Sequence, residues 1–176
     1  ASQLHVPRLQ GLGALRLLNR IFKTSPRMIM QPENSKSERD QRGAAFHEAG
    51  HAVVAAALGL AVGRVEIAIG GDDAKGASDI EQSAALSLVD QLAICAAGLE
   101  AQEVFDAPTH EGAGWGDYGK MVELLEDFDE DEQLGLMREG HARAFQLVTV
   151  NRDKIERLAR TLFEKKRLAA DEITSL

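Results

Sequence analysis

Apolar side chains thicken from Ala44 onward until Ala52–Leu58 is apolar nearly all round, a pattern that predicts a helix buried on every side. Ser35 or Ser37 can cap its start, and Ser35 with Glu38 three positions on makes a capping box. Gly59 and Gly63 mark its end near Leu60. Arg64-Val65-Glu66-Ile67-Ala68-Ile69 then alternates with a period of two and is rich in β-branched residues, which predicts a strand. Gly70-Gly71-Asp72-Asp73 turns the chain, and residues 75–80 supply a short return strand, completing a small hairpin.

Asp79 and Gln82 offer caps for a second long helix from Ser83 to about Phe105, whose Leu86, Val89, Ala93, Ala96 and Ala97 recur at helical spacing. Its small residues suit close packing on the first helix. Residues 106–116 hold one proline and three glycines and read as a loop. A third helix is expected from near Asp117. It runs into Glu123–Glu132, where seven of ten residues are acidic; this is a solvated turn whose acids favour the start of the next helix. Leu134–Val148 and Asn151–Lys166 predict an antiparallel helical pair, and Asp171–Leu176 a last short turn. The fold class expected is mainly α, with a small β-hairpin.

Charge divides the chain. Of 176 residues, the first 32 carry Arg8, Arg16, Arg20, Lys23 and Arg27 and no acid, while the whole has a formal charge of −8. Two parts are expected: a basic segment with a polar linker over 1–37, and a domain over 38–176. Leucines among the bases of residues 4–23 suit an amphipathic helix for a membrane surface or an acidic partner. The same segment is also compatible with an organellar transit peptide, or with an extension ahead of a start at Met28 or Met30. The location expected is cytoplasmic, or an organelle interior if residues 1–30 are a transit segment. The acidic balance argues against general nucleic-acid binding. No uncharged apolar run is long enough to span a membrane. The single cysteine, Cys95, excludes an intramolecular disulfide and reads as a small core residue.

The candidate chemistry sits in the first helix, in Ala45-Phe46-His47-Glu48-Ala49-Gly50-His51-Ala52. Histidines four residues apart project from one helical face, and two imidazoles so placed can hold one Zn²⁺ at roughly 2.0–2.1 Å each. Glu48 lies off that face, where its carboxylate serves a water rather than the metal. Buried, these three polar groups need partners, and a metal supplies them. A catalytic zinc keeps three protein ligands and an open position. The third candidates are Glu100, Glu103, His110, Asp117 and His141. Chemistry alone leaves Glu100 or Glu103 on the second helix level with Asp117, a carboxylate that opening a helix would hold by its own capping hydrogen bonds.

Three separated blocks resemble the peptidase domain of the FtsH-type ATP-dependent zinc metalloproteases. They are Phe46–Val53; Ala97–Phe105 with the glycine-rich Gly112-Ala113-Gly114-Trp115-Gly116-Asp117; and Ala142–Ile173. The resemblance covers 38–176. It implies a mostly helical fold, His47, His51 and Asp117 as zinc ligands, Glu48 as base, and Glu100 and Glu103 as helix residues without a metal. The chain departs from the family in three ways. No segment of ATPase size precedes residue 38, the loop before Asp117 is one residue longer, and the 65–80 hairpin is shorter. Gly114–Met121 nearly spells a phosphate-binding loop, but Met121 lacks the hydroxyl for Mg²⁺ and no buried strand leads into it, so ATP binding is rejected.

The expectation is a standalone zinc endopeptidase. The metal would acidify a water, Glu48 would take its proton, and substrate would add as a strand to the hairpin edge. Lacking an unfoldase, it should cut peptides or unfolded segments, unless a separate ATPase or self-association assists it. His110, Tyr118 and His141 are candidates for oxyanion stabilisation, and Trp115 for a wall of the site. The alternative, of a different class, is a non-catalytic zinc-containing adaptor or regulator on the same fold.

Overall fold

A computed structural model describes residues 35–110 and 112–175. The basic segment 4–23, with its membrane-surface, transit and start-site expectations, and linker residues 31–34 lie outside the described residues. The chain divides into two units between Pro32 and Glu33, and every described residue belongs to the second.

Among the described residues the order is α1 (Lys36–Ala57), β1 (Val62–Ile67), a 3-10 turn (Ile69–Gly71), β2 (Gly76–Ile80), α2 (Leu88–Val104), α3 (Trp115–Leu124), α4 (Glu130–Val150), α5 (Arg152–Lys165), β3 (Arg167–Leu168) and α6 (Ala170–Thr174). The fold is mainly helical, as expected, with more than a hairpin beside it. Strand β3 pairs antiparallel with the other side of β1, so the sheet order is β2-β1-β3 and β2 is an outer strand.

Helix α1 is the axis of the domain. It starts inside the expected linker, where the Ser35 hydroxyl accepts from the Glu38 N–H at 3.1 Å. It ends in a Schellman motif: Leu60 N–H donates to Ala55 O, Gly59 N–H donates to Ala56 O, and Gly59 takes the left-handed φ of 87° that this turn requires. Between these caps, Gly43 to Ala55 is buried apart from the partly covered His47. Helices α2 and α5 and the sheet pack around it, and the largest core cluster joins its Phe46, Ala49, Ala52 and Val54 to Val65, Ala97, Leu158 and Leu162.

Two expectations need correction. Helix α2 begins at Leu88, not Ser83, because Ser87 is its cap: its hydroxyl accepts from the Asp90 N–H at 3.1 Å. Asp79 and Gln82 cap nothing there; Asp79 lies in β2, 3.3 Å from Arg64. Nor do α4 and α5 form a pair. They are joined at Asn151 and make few contacts with each other. Instead α4 lies along α2, with Ala144 against Ala93 and Ala96, and α5 presents Ile155, Leu158, Ala159 and Leu162 to the core around α1. Each apolar stripe therefore faces a different partner. The acidic run behaves as expected: Asp129 and Glu132 close a capping box, and the acids fill the first turn of α4.

Helix α4 carries two glycines that answer the same substitution in opposite directions. A Cβ on Gly140 would sit 2.6 Å from Leu92 Cβ, whereas one on Gly135 meets nothing within 4 Å. Gly140→Ala is expected to destabilise by about 1–3 kcal/mol through overpacking. Gly135→Ala should stabilise by about 0.5–1 kcal/mol through helix propensity alone. Urea denaturation of the two variants checks both signs.

Candidate metal centre

The site grows from an unusually close approach of α1 and α2, which run antiparallel. Residues Gly43, His47 and His51 recur every four positions on α1, and Ile94, Gly98 and Gln102 do so on α2, so each trio forms one stripe. The stripes meet. A Cβ on Gly98 would lie 2.5 Å from both His47 Cε1 and His51 Nε2, so only the bare Cα leaves room for the two rings. A Cβ on Gly50 would lie 2.5 Å from Ala97 O, which fixes the helix separation one turn along.

Hydrogen bonds place a hydrogen on Nδ1 of both rings. His51 Nδ1 lies 2.7 Å from Ile94 O, an oxygen that can only accept, so Nδ1 carries the hydrogen. Gln102 Nε2 donates to Gly43 O at 3.2 Å and to Pro108 O at 2.8 Å, which fixes the amide and points Oε1 at His47 Nδ1, 3.2 Å away. His47 Nδ1–H therefore donates to Gln102. In the neutral form each imidazole turns the lone pair of Nε2 inward. The two Nε2 atoms are 3.0 Å apart, and Asp117 Oδ2 is 3.1 Å from one and 3.2 Å from the other.

Three acceptors crowded this closely, with no proton between them, repel one another. A cation removes the conflict. A tetrahedral ion bonded at roughly 2.0–2.1 Å needs donors about 3.3–3.4 Å apart, within ~0.4 Å of the separations here. The group His47, His51 and Asp117 can thus hold a metal ion. A proton is the competing solution. Burial lowers the His51 pKa more than any other single effect, yet the hydrogen bond and charge of Asp117, the charge of Glu48 and the Ile94 carbonyl together raise it. Burial likewise favours protonated Asp117, but hydrogen bonds and charge from His47 and His51 hold its carboxyl well below the usual range.

Asp117 reaches the site by a route other than capping. Helix α3 starts at Trp115 on the left-handed Gly114, with no side-chain cap, and Asp117 sits in its first turn. One turn later Met121 is buried, and with Leu125 it packs against Leu92 and Cys95 of α2. That contact turns the Asp117 face of α3 toward the histidines. Its other oxygen, Oδ1, lies 3.7 Å from Lys120 Nζ. Cys95 is the core residue expected, and burial pushes its thiol up to about 11.

Glu48 points elsewhere. Only 7 % exposed, it turns toward β2, where the Ser78 hydroxyl donates to its Oε2 at 2.6 Å. His47, Glu48, His51 and Asp117 share the wall of an open cleft of about 1580 Å³ that also runs along β2 and the 112–116 loop, Trp115 included. The other ligand candidates are not part of the metal group, although His110 lines the same cleft. Glu100 faces away, its carboxylate 2.7 Å from His141 Nδ1, and Glu103 and His110 are exposed. His141 is thereby committed to Glu100. Tyr118 is exposed on α3. Among the described residues no strand leads into Gly114–Met121, which follows α2. Among the described residues no helix is long and apolar enough to cross a membrane.

The sequence alone did not single out Gln102, Gly98, Ser78 or Gly76. A polar residue four positions after Gly98 on an otherwise apolar face was the one available signal for Gln102. Compared with known protein families the sequence matches no family model, and no curated protein matches it.

Removing Asp117 as Asp117→Ala should weaken metal binding by more than the roughly 10–100-fold typical of losing an outer partner. Gln102→Leu should fall within that range of about 10–100-fold. Glu100→Ala should leave affinity unchanged; the reverse order in chelator-competition titrations would overturn the ligand set. Acidity offers a second test. A raised His51 pKa means the metal-free ring keeps its proton to higher pH than an ordinary histidine. Apparent affinity should therefore start to fall already above pH ~6.5 as the pH is lowered, seen in the same titrations across pH 8 to 5.

Proposed function

We propose that this chain is a zinc metalloendopeptidase resembling the FtsH-type peptidase domain, hydrolysing peptide bonds in peptides or unfolded segments. The supporting observation is that Glu48, a buried carboxylate outside the metal group, opens on the same cleft as His47, His51 and Asp117. A purely structural ion has no need of it.

Two imidazoles and a carboxylate suit zinc, and His47, His51 and Asp117 would hold it. When bound, such an ion supplies Lewis acidity, acidifying water and polarising a carbonyl. Glu48 takes the proton of a water as its oxygen bonds to the scissile carbonyl carbon, and returns it to the leaving nitrogen as the C–N bond breaks. The outer strand β2 lines the cleft, so an extended substrate can pair with its main chain, the peptide lying across the site. Trp115, 77 % exposed and lining the same cleft, can cover a substrate side chain.

Zinc-loaded protein is expected to cleave unfolded casein, and Glu48→Gln to slow cleavage by about 10²-fold or more with zinc stoichiometry unchanged. Zinc-replete protein that cuts neither casein nor a broad peptide library would instead mark a non-catalytic adaptor on this fold.

A further inference from the structure

The neighbours of Glu48 point to a role for β2 beyond binding. We propose that Ser78 is a positioning residue for Glu48, so that the strand offered to substrate also aims the base. The proposal rests on the peptidase function above, and on geometry that β2 and α1 supply together.

An ionised carboxylate only accepts, so Ser78 must donate, and 2.6 Å is the short separation of a charge-assisted O–H···O⁻ bond. The same hydroxyl lies 3.3 Å from the Glu48 main-chain oxygen, and its single hydrogen makes that contact the weaker branch of a bifurcated bond. The terminal torsion of a glutamate is broad and close to two-fold, so an unheld carboxylate turns freely. Ser78 removes that freedom by occupying Oε2, leaving Oε1 for proton traffic.

Gly76 flanks the other side. A Cβ there would lie 2.6 Å from Oε1 and 2.5 Å from Cγ of Glu48, so the bare strand Cα makes the berth in which the carboxylate rests. Gly76 and Ser78 are two apart on β2, which puts both on the face toward α1. On its inner edge β2 is fixed by pairing to β1, with Ser78 opposite Val65 and Gly76 opposite Ile67, both buried. The berth is thus built on a strand anchored to the core. A substrate strand added to the outer edge of β2 is registered against the same residues that orient the base.

Ser78→Ala is expected to lower kcat roughly 10–100-fold with KM within about 2-fold and zinc content intact. Ser78→Thr, which keeps a hydroxyl, should restore most of it. Gly76→Ala, crowding Oε1 from the other side, should give the same kcat-selective loss. Because Ser78 acts through Glu48, Ser78→Ala should have no further effect on the residual rate of Glu48→Ala. A loss confined to KM, or an equal factor in both backgrounds, overturns the proposal. If zinc-loaded wild type cleaves nothing, the peptidase function fails by itself. Positioning is then decided by acetohydroxamate affinity of the zinc-loaded protein in the same double-mutant cycle. Coupling between Ser78 and Glu48 upholds it, and additivity overturns it.

Discussion

Everything at this site depends on how closely α1 and α2 approach. Three glycines, Gly43, Gly50 and Gly98, stand where any Cβ would come within 2.5 Å of the facing segment: Pro108 O just beyond α2, Ala97 O on α2, and the histidine rings of α1. Ordinary helix pairs pack about 8–10 Å apart, with side chains filling the gap. Here backbone takes the place of side chains along one stripe, and the space so released is filled by two imidazole rings. The same closeness brings the Ile94 carbonyl and the Gln102 amide to the two Nδ1 atoms. Packing therefore fixes the tautomers, and the tautomers fix what can sit between the Nε2 atoms.

Successive residues on a helix are rotated by about 100°, and α1 uses that rotation to serve two walls at once. His47 faces α2 and α3, while Glu48, the next residue, faces β2. The two imidazoles and the Glu48 carboxylate thus come from one stretch of one helix but are braced by different elements. The C-terminal elements contribute support. Helix α4 backs α2, α5 backs α1, and β3 completes the sheet that holds β2 in place.

Much of this was legible in the sequence because helix caps and histidine spacing are local. Ser35, Gly59 and the acids before α4 act through bonds within a few residues, and those signals held. Features that rest on tertiary contact were not legible. Strand β3 is two residues long, entered through the left-handed Lys166 at φ 65°, and has no periodicity to detect. The separation of α4 from α5 follows from which helix each stripe faces, which spacing alone does not fix. Asp117 was expected to be held by capping; instead the burial of Met121 and Leu125 aims it. Glu100 was a candidate ligand until the phase of α2 was known. Two residues from both Gly98 and Gln102, it is turned roughly 200° from the histidines and meets His141.

The charge balance follows from the same arrangement. Asp117 and Glu48 bring two carboxylates to one cleft, and imidazoles in their neutral form offset neither. Buried anions without partners are costly, and Lys120, largely exposed at 3.7 Å, is a weak counterion for Asp117 alone. One divalent cation among His47, His51 and Asp117 would offset both negative charges and end the clash of lone pairs. Two nitrogens and one oxygen are a donor set unlike the all-oxygen sites that Ca²⁺ and Mg²⁺ take. A proton on His51 answers only half of that charge and leaves His47 facing it at 3.0 Å, so the metal ion is the fuller solution to the site that the packing imposes.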